Sequence, residues 1–375
     1  MDLASYRDIS PYHGQDLLDA IARVKGHEKG IATFLASFDP PRTNDQRLAL
    51  QELVKYIIAL LDEVTTYEQF QRSITAGIFL PKIVEKSVTA FTFSGLENLE
   101  KDQAYLYMSN HRDIVLDCAL IDLALAQGDM MLMEMAIGDN LLTNQFITDL
   151  FKLNGGVVVK RDLPMREKYL ESLRLSSYFV ELISERNQSI WVAQKSGRSK
   201  DGIDVTNPAI IKMLHLSQKK KGVSFSEVIQ RTKIVPVAVS YEYDPLDVNK
   251  AAEQLRKHSD KRQYEDVISM TKGLRGFKGR IHISFGTPLT DRAYTSPEEV
   301  ALEIDRQIHT NYTLWPTNYY AYDYVNSSSA YAEHYQNFDG EAFLNRFKFR
   351  REEVRDFALN AYANPVRSFL SQQHP

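Results

Sequence analysis

Apolar residues recur at helical spacing through the first part of the chain, then give way to short β-prone runs. Leu17, Leu18, Ile21 and Val24 share one helical face, and residues 48–63 carry a second apolar-periodic stretch. Asp39-Pro40-Pro41 separates the two, because proline turns the residue before it away from helix. Residues 1–85 therefore read as a helical N-terminal domain with no titratable cluster that marks chemistry. From about residue 86, strand candidates at 88–93, 104–108, 157–159, 189–193, 234–239 and 280–285 alternate with helices. The helices are a buried one over 114–126, an amphipathic one over 165–185, and one opened by Asn207 as N-cap with Pro208 at its first position. That alternation predicts an α/β fold over 86–310, a mixed and largely parallel sheet flanked by helices. Residues 311–375 form a Tyr-rich, helical C-terminal extension, with seven tyrosines between Tyr312 and Tyr335.

Composition narrows the class. A hydrophobic fraction of 43% with 25% charged residues in a 375-residue chain excludes disorder and collagen-like architecture. The single cysteine, Cys118, excludes an intramolecular disulfide framework and a Cys-rich metal site, fits a reducing compartment, and reads as packing on an apolar helix. The first eight residues lack the apolar core of a signal peptide, and no run reaches the ~18–20 apolar residues of a membrane span. A chain not integral to the membrane is expected. The formal charge of −4 leaves room for local cationic stretches, at Lys219-Lys220-Lys221 and over 272–280, that have the chemistry to meet anionic lipid.

Candidate chemistry concentrates where the second strand candidate ends, in Ser109-Asn110-His111-Arg112-Asp113 followed by Asp117. A polar turn at a strand end is where α/β enzymes bind ligands. An imidazole held by a carboxylate is a general base at neutral pH. His111 cannot face Asp113 or Asp117 along one regular helix, since only positions three or four apart share a face. With Asp113 as N-cap and His111 in the loop before it, Asp117 falls in the first turns with its side chain tilted back towards the loop. A His111–Asp117 pair is then allowed, and Asp113 is the fallback partner. The other eight histidines show no His-Glu-x-x-His spacing, and neither a Gly-x-Ser-x-Gly elbow nor a Walker-type loop is present.

Asn110-His111-Arg112 followed by an aspartate resembles the first motif of the glycerolipid acyltransferases, the family of glycerol-3-phosphate and 1-acylglycerol-3-phosphate acyltransferases. Four residues separate their histidine from its aspartate, whereas five separate His111 from Asp117. Three later stretches follow in the family's order. Gly155-Gly156-Val157-Val158-Val159-Lys160-Arg161 resembles the second motif, and Gln194-Lys195-Ser196-Gly197-Arg198-Ser199-Lys200-Asp201-Gly202 the third. The strand from Ile234 through Pro236 to Glu242 resembles the fourth. Lys195-Ser196 stands where the family has a glutamate just before its glycine-arginine element.

The resemblance implies His111 as general base and Asp117 as the group orienting it. It implies Lys160, Arg161 and Arg198 as cations for the acceptor's phosphate, Arg112 as a further substrate-binding residue, Gly197 as a backbone site for the oxyanion, and Pro236 beside the acyl group. The implied reaction moves a fatty acyl group from acyl-CoA or an acyl carrier protein to a hydroxyl of glycerol 3-phosphate or lysophosphatidate. No metal and no bound cofactor are needed, because the thioester is a substrate. The implied setting is peripheral, on the cytoplasmic face of a membrane, with no nucleic-acid partner. The missing glutamate keeps two alternatives open: N-acylation of an aminolipid precursor, and a catalytically silent acyl-thioester or lipid binder.

Overall fold

The computed structural model describes residues 2–256 and 265–373. Its strands are β1 (Val88–Ser94), β2 (Leu106–Ser109), β3 (Met133–Gly138), β4 (Gly156–Val159), β5 (Ser189–Ala193), β6 (Ile234–Tyr241) and β7 (Gly279–Phe285). They form one sheet in the order β1-β7-β6-β2-β5-β3-β4. Strands β2 to β6 run parallel, while β7 pairs antiparallel with β6 and parallel with β1. The fold is thus α/β with a mixed, largely parallel sheet. Strand β3 lies outside the sequence expectation, because its Met-Glu-Met-Ala-Ile-Gly composition is poor in β-branched residues. Burial between β4 and β5, not propensity, makes it a strand.

Alternation along the strands feeds two cores. Tyr105 and Tyr107 face one side, with Val235, Val237, Val239, Ile281 and Ile283, against the helix Leu116–Gln127 and the N-terminal helices. Leu106, Met108, Ile190 and Ala238 face the other, against the helices Met165–Arg186, Pro208–Lys219 and Pro297–Asn311. Each such fully buried side chain stabilises the fold by roughly 1.5–3 kcal/mol. The helices Gly14–Lys25, Glu28–Phe38 and Asn44–Leu61 place Leu17, Leu35 and Ile57 in the same core as the sheet. The Ile9 carbonyl accepts from the Val158 amide on edge strand β4 at 2.9 Å, so the N-terminal segment also touches the sheet directly.

The C-terminal extension packs a smaller core of its own, with Ala321, Phe343, Phe347, Leu359 and Tyr362 buried. The tyrosine-rich stretch is part of that packing: Tyr319 stacks on His334 at 4.2 Å, and Tyr320 meets Tyr335 and Phe343 edge-on. The cations over 272–280 are engaged internally. Lys278 is buried against the Ser87 hydroxyl and the Gly276 carbonyl, Arg280 forks onto Glu242, and Arg275 bonds the Ser37 carbonyl. Lys219, Lys220 and Lys221 are exposed.

Candidate active site

The C-terminal ends of β2, β3, β4 and β5 open on a cavity of about 780 Å³. His111 enters it from the turn after β2, Gly138 from the end of β3, Lys160 and Arg161 from beyond β4, and Lys195 to Arg198 from beyond β5. Parallel strands deliver all four turns to one edge, which is why motifs some 90 residues apart in the chain meet here.

The turn after β2 is held by side chains acting as backbone surrogates. The Asn110 amide donates to the Val239 carbonyl at 3.0 Å and accepts from the Val239 amide at 2.7 Å, extending the β2–β6 pairing past its last strand residue. Asp117, fully buried at the start of the helix Leu116–Gln127, lies 2.9 Å from His111 Nδ1 through Oδ2. That oxygen also accepts from the Arg112 and Asp113 amides at 2.6 and 2.8 Å. Its other oxygen accepts from the Tyr241 hydroxyl at 2.8 Å. Burial, and then the neighbouring Asp117, push the Tyr241 phenol well above its ordinary range, so it stays a donor. With Nδ1 committed to Asp117, Nε2 is left as the basic nitrogen of an imidazole that lines the cavity. Trp191 meets that ring edge-on at 5.7 Å.

Asp113 does not pair with His111. Its Oδ1 accepts from the Val115 and Leu116 amides at 3.0 and 2.9 Å, capping the entry to the helix. Its Oδ2 sits against Gly273, where an added Cβ would come within 2.1 Å. Burial first, and Asp117 second, raise its carboxyl above the usual range.

The loop after β5 is fastened to this turn. The Gln194 amide donates to the Ser109 carbonyl at 2.9 Å, and the Ser199 amide to the His111 carbonyl at 2.7 Å. Gly197 takes φ +80° within it. The Arg198 side chain is 8% exposed, 3.6 Å from Glu253, and its Nη1 is buried without a hydrogen-bond partner among the described residues. Beyond β4, Lys160 pairs with Asp8 at 3.1 Å and Glu171 at 3.4 Å. The Arg161 side chain carries no ion pair among the described residues, and it lies against Gly138, where a Cβ would meet its Nε at 2.3 Å.

The cavity lining is cationic although the chain is not: Lys160, Arg161, Lys168, Lys195, Arg198, Lys200 and Arg256 outnumber Asp162, Glu253, Glu265 and Asp266. The same cavity is also lined by apolar side chains, Val159, Leu175, Phe179, Val192, Ile210 and Met213. The cavity can therefore take a ligand with an anionic end and an aliphatic body.

Two residues expected to bind substrate lie off the cavity lining. Arg112 turns the other way, pairing with Asp204 at 2.5 Å and lying over the Tyr312 ring at 5.6 Å. Pro236 is buried inside β6, an interior strand and not an edge. Alternate residues of a strand address alternate neighbours. Val239 is bonded on the β2 side by Asn110, and the Pro236 carbonyl accepts from the Gly286 amide at 2.8 Å beyond the last β6–β7 pair. Its missing N–H thus falls where the ladder has ended. Tyr241, Glu253 and the apolar lining were not singled out from the sequence. Leu175 and Phe179 are four apart on one helix and legible as a stripe, but Glu253 has no local signal at all.

The α/β sheet thus brings a histidine–carboxylate pair at its strand ends together with basic and apolar side chains in one cavity. Residues 90–240 match the acyltransferase family model. Among solved structures, that of the 1-acyl-sn-glycerophosphate (LPA) acyltransferase PlsC from Thermotoga maritima is similar at 15% identity, covering 76% of this chain and 92% of that one with a TM-score of 0.36. No curated protein matches the chain.

Proposed function

We propose that this protein moves a fatty acyl group from a thioester, acyl-CoA or acyl carrier protein, to a hydroxyl of glycerol 3-phosphate or 1-acylglycerol 3-phosphate in phospholipid synthesis. The observation that carries the reading is the sharing of one cavity by His111, held by Asp117 at 2.9 Å, an excess of cations and an apolar lining. His111 Nε2 takes the proton of the acceptor hydroxyl, and the hydroxyl oxygen attacks the thioester carbonyl. The tetrahedral oxyanion collapses, the C–S bond breaks, and the thiolate leaves with the proton returned from the imidazolium. Asp117 holds the imidazole in the required tautomer and stabilises its charged form. Arg161 and Arg198 supply charge-assisted bonds to phosphate, and Gly197 lines the cavity where backbone N–H groups serve an oxyanion.

No described helix is long and apolar enough to cross a membrane. We propose a peripheral location on the cytoplasmic face of a membrane, where a lipid product of this reaction would enter the bilayer. The test is thiol release from palmitoyl-CoA and palmitoyl-acyl carrier protein with each acceptor. The His111→Ala variant is expected to lose ~10²–10⁴-fold in turnover, the scale of general-base catalysis. Wild-type turnover in that variant would sink the mechanism. Transfer to amine acceptors alone would replace O- with N-acylation.

A further inference from the structure

Glu253 lies at the end of the helix Asp247–Gln254, outside the residues that match the family model. Its side chain is 7% exposed, yet it lines the cavity that holds His111. Its carboxylate stands 3.6 Å from Arg198 Nη2 and 3.4 Å from Lys200 Nζ. Both separations exceed the ~2.7–2.9 Å of a charge-assisted hydrogen bond. The same Arg198 has its Nη1 buried without a partner among the described residues. Among the described residues, a carboxylate with no donor closer than 3.4 Å and a guanidinium whose buried Nη1 lacks an acceptor therefore face one space. Buried polar groups are rarely left so, because each unmade bond carries a desolvation cost. A ligand offering an anion to Arg198 and a hydroxyl to Glu253 fills both. The loop after β5 puts no carboxylate into the cavity in its place: Lys195 and Ser196 precede Gly197, the Lys195 ammonium is turned to the Ile203 carbonyl at 2.9 Å, and Asp201 and Asp204 are engaged by Ser199, Ile203 and Arg112 off the cavity lining.

We infer that Glu253 is a specificity-determining residue that accepts a hydrogen bond from the glycerol hydroxyls of a phosphorylated acceptor while Arg198 holds the phosphate. The inference rests on the phosphoglycerol reading above and assigns the polyol half of that site. Calorimetric titration of the full chain with sn-glycerol 3-phosphate and with inorganic phosphate separates the two claims. Wild-type protein is expected to prefer glycerol 3-phosphate about tenfold, the scale of one hydrogen bond to a charged group. Glu253→Gln is expected to bind inorganic phosphate at least as tightly as wild type, with the preference reduced to near one. Retained phosphate binding shows that the variant is folded. A preference unchanged in Glu253→Gln, absent in wild type, or lost together with all phosphate binding in the variant overturns the role of Glu253. Failure of wild type to bind either anion overturns the phosphoglycerol reading beneath it.

Discussion

At the scale of single residues, the two cations after β4 are not equivalent. Lys160 is already paired with Asp8 and Glu171, whereas the Arg161 side chain is without an ion pair among the described residues. Arg161→Ala is expected to raise the acceptor KM by tenfold or more, as loss of an Arg–phosphate bond does. Lys160→Ala is expected to change it by less than threefold; steady-state kinetics of both variants checks the ranking. Glu134 makes a second prediction, on stability. Burial raises its carboxyl from 4.5 to about 7, against the lowering effect of the Tyr178 and Tyr67 hydroxyls that donate to it at 2.5 and 3.1 Å. A carboxyl whose folded pKa is raised binds its proton more tightly in the folded state, so its contribution to stability is full below pH ~4.5 and is lost as pH rises towards 7. Asp122, also raised by burial to about 7, adds to the same trend. Glu134→Gln is expected to flatten this part of the Tm–pH profile between pH 4.5 and 7, and an unchanged profile would refute the assignment.

Elements set the geometry that residues use. Gly202 has φ +76°, and a Cβ there would come within 2.1 Å of the Ala361 carbonyl in the C-terminal helix Glu352–Gln373. Asn364 of the same helix donates to the Asp201 carbonyl at 2.7 Å. The loop that carries Arg198 is thus clamped between the His111 turn and a helix outside the matched family region. Gly202→Ala is expected to shift the loop, lowering stability by more than the ~1–2 kcal/mol of left-handed strain and cutting turnover. Gly197→Ala, with φ +80° and open space around its Cβ, is expected to show the strain alone. Denaturant melts of the two variants compare these directly, and equal losses would refute the clamp. The element least legible beforehand was β3, whose methionine-rich run gains its strand identity only from neighbours on both sides.

On the scale of the whole molecule, the three segments apparent from patterning do not keep separate interiors. Leu17, Leu35 and Ile57 share a core with Tyr107 and Val237, and Ile9 bonds to β4. Residues 86–310 expressed alone would expose that face, and the fragment is expected to aggregate or lack a cooperative melt by circular dichroism. A cooperatively folding fragment would show the flanking helices to be dispensable. The cationic stretch over 272–280 illustrates the same point from the surface side, since Lys278, Arg280 and Arg275 are spent on internal partners.

The sequence alone determined the strand–helix alternation, the turn carrying His111, and the four motifs in order, because periodicity, capping and strand-end polarity are local properties. Tertiary structure alone decided which aspartate meets His111, that Arg112 faces away from the cavity while Arg198 and Arg161 face into it, and that Pro236 is interior. It also placed Glu253 beside Arg198 and joined the helical ends to the sheet. Those outcomes depend on which strand ends become neighbours and which side chains are desolvated together. The −4 of the whole chain is an average over that arrangement, and folding brings seven of its cations to the lining of one cavity.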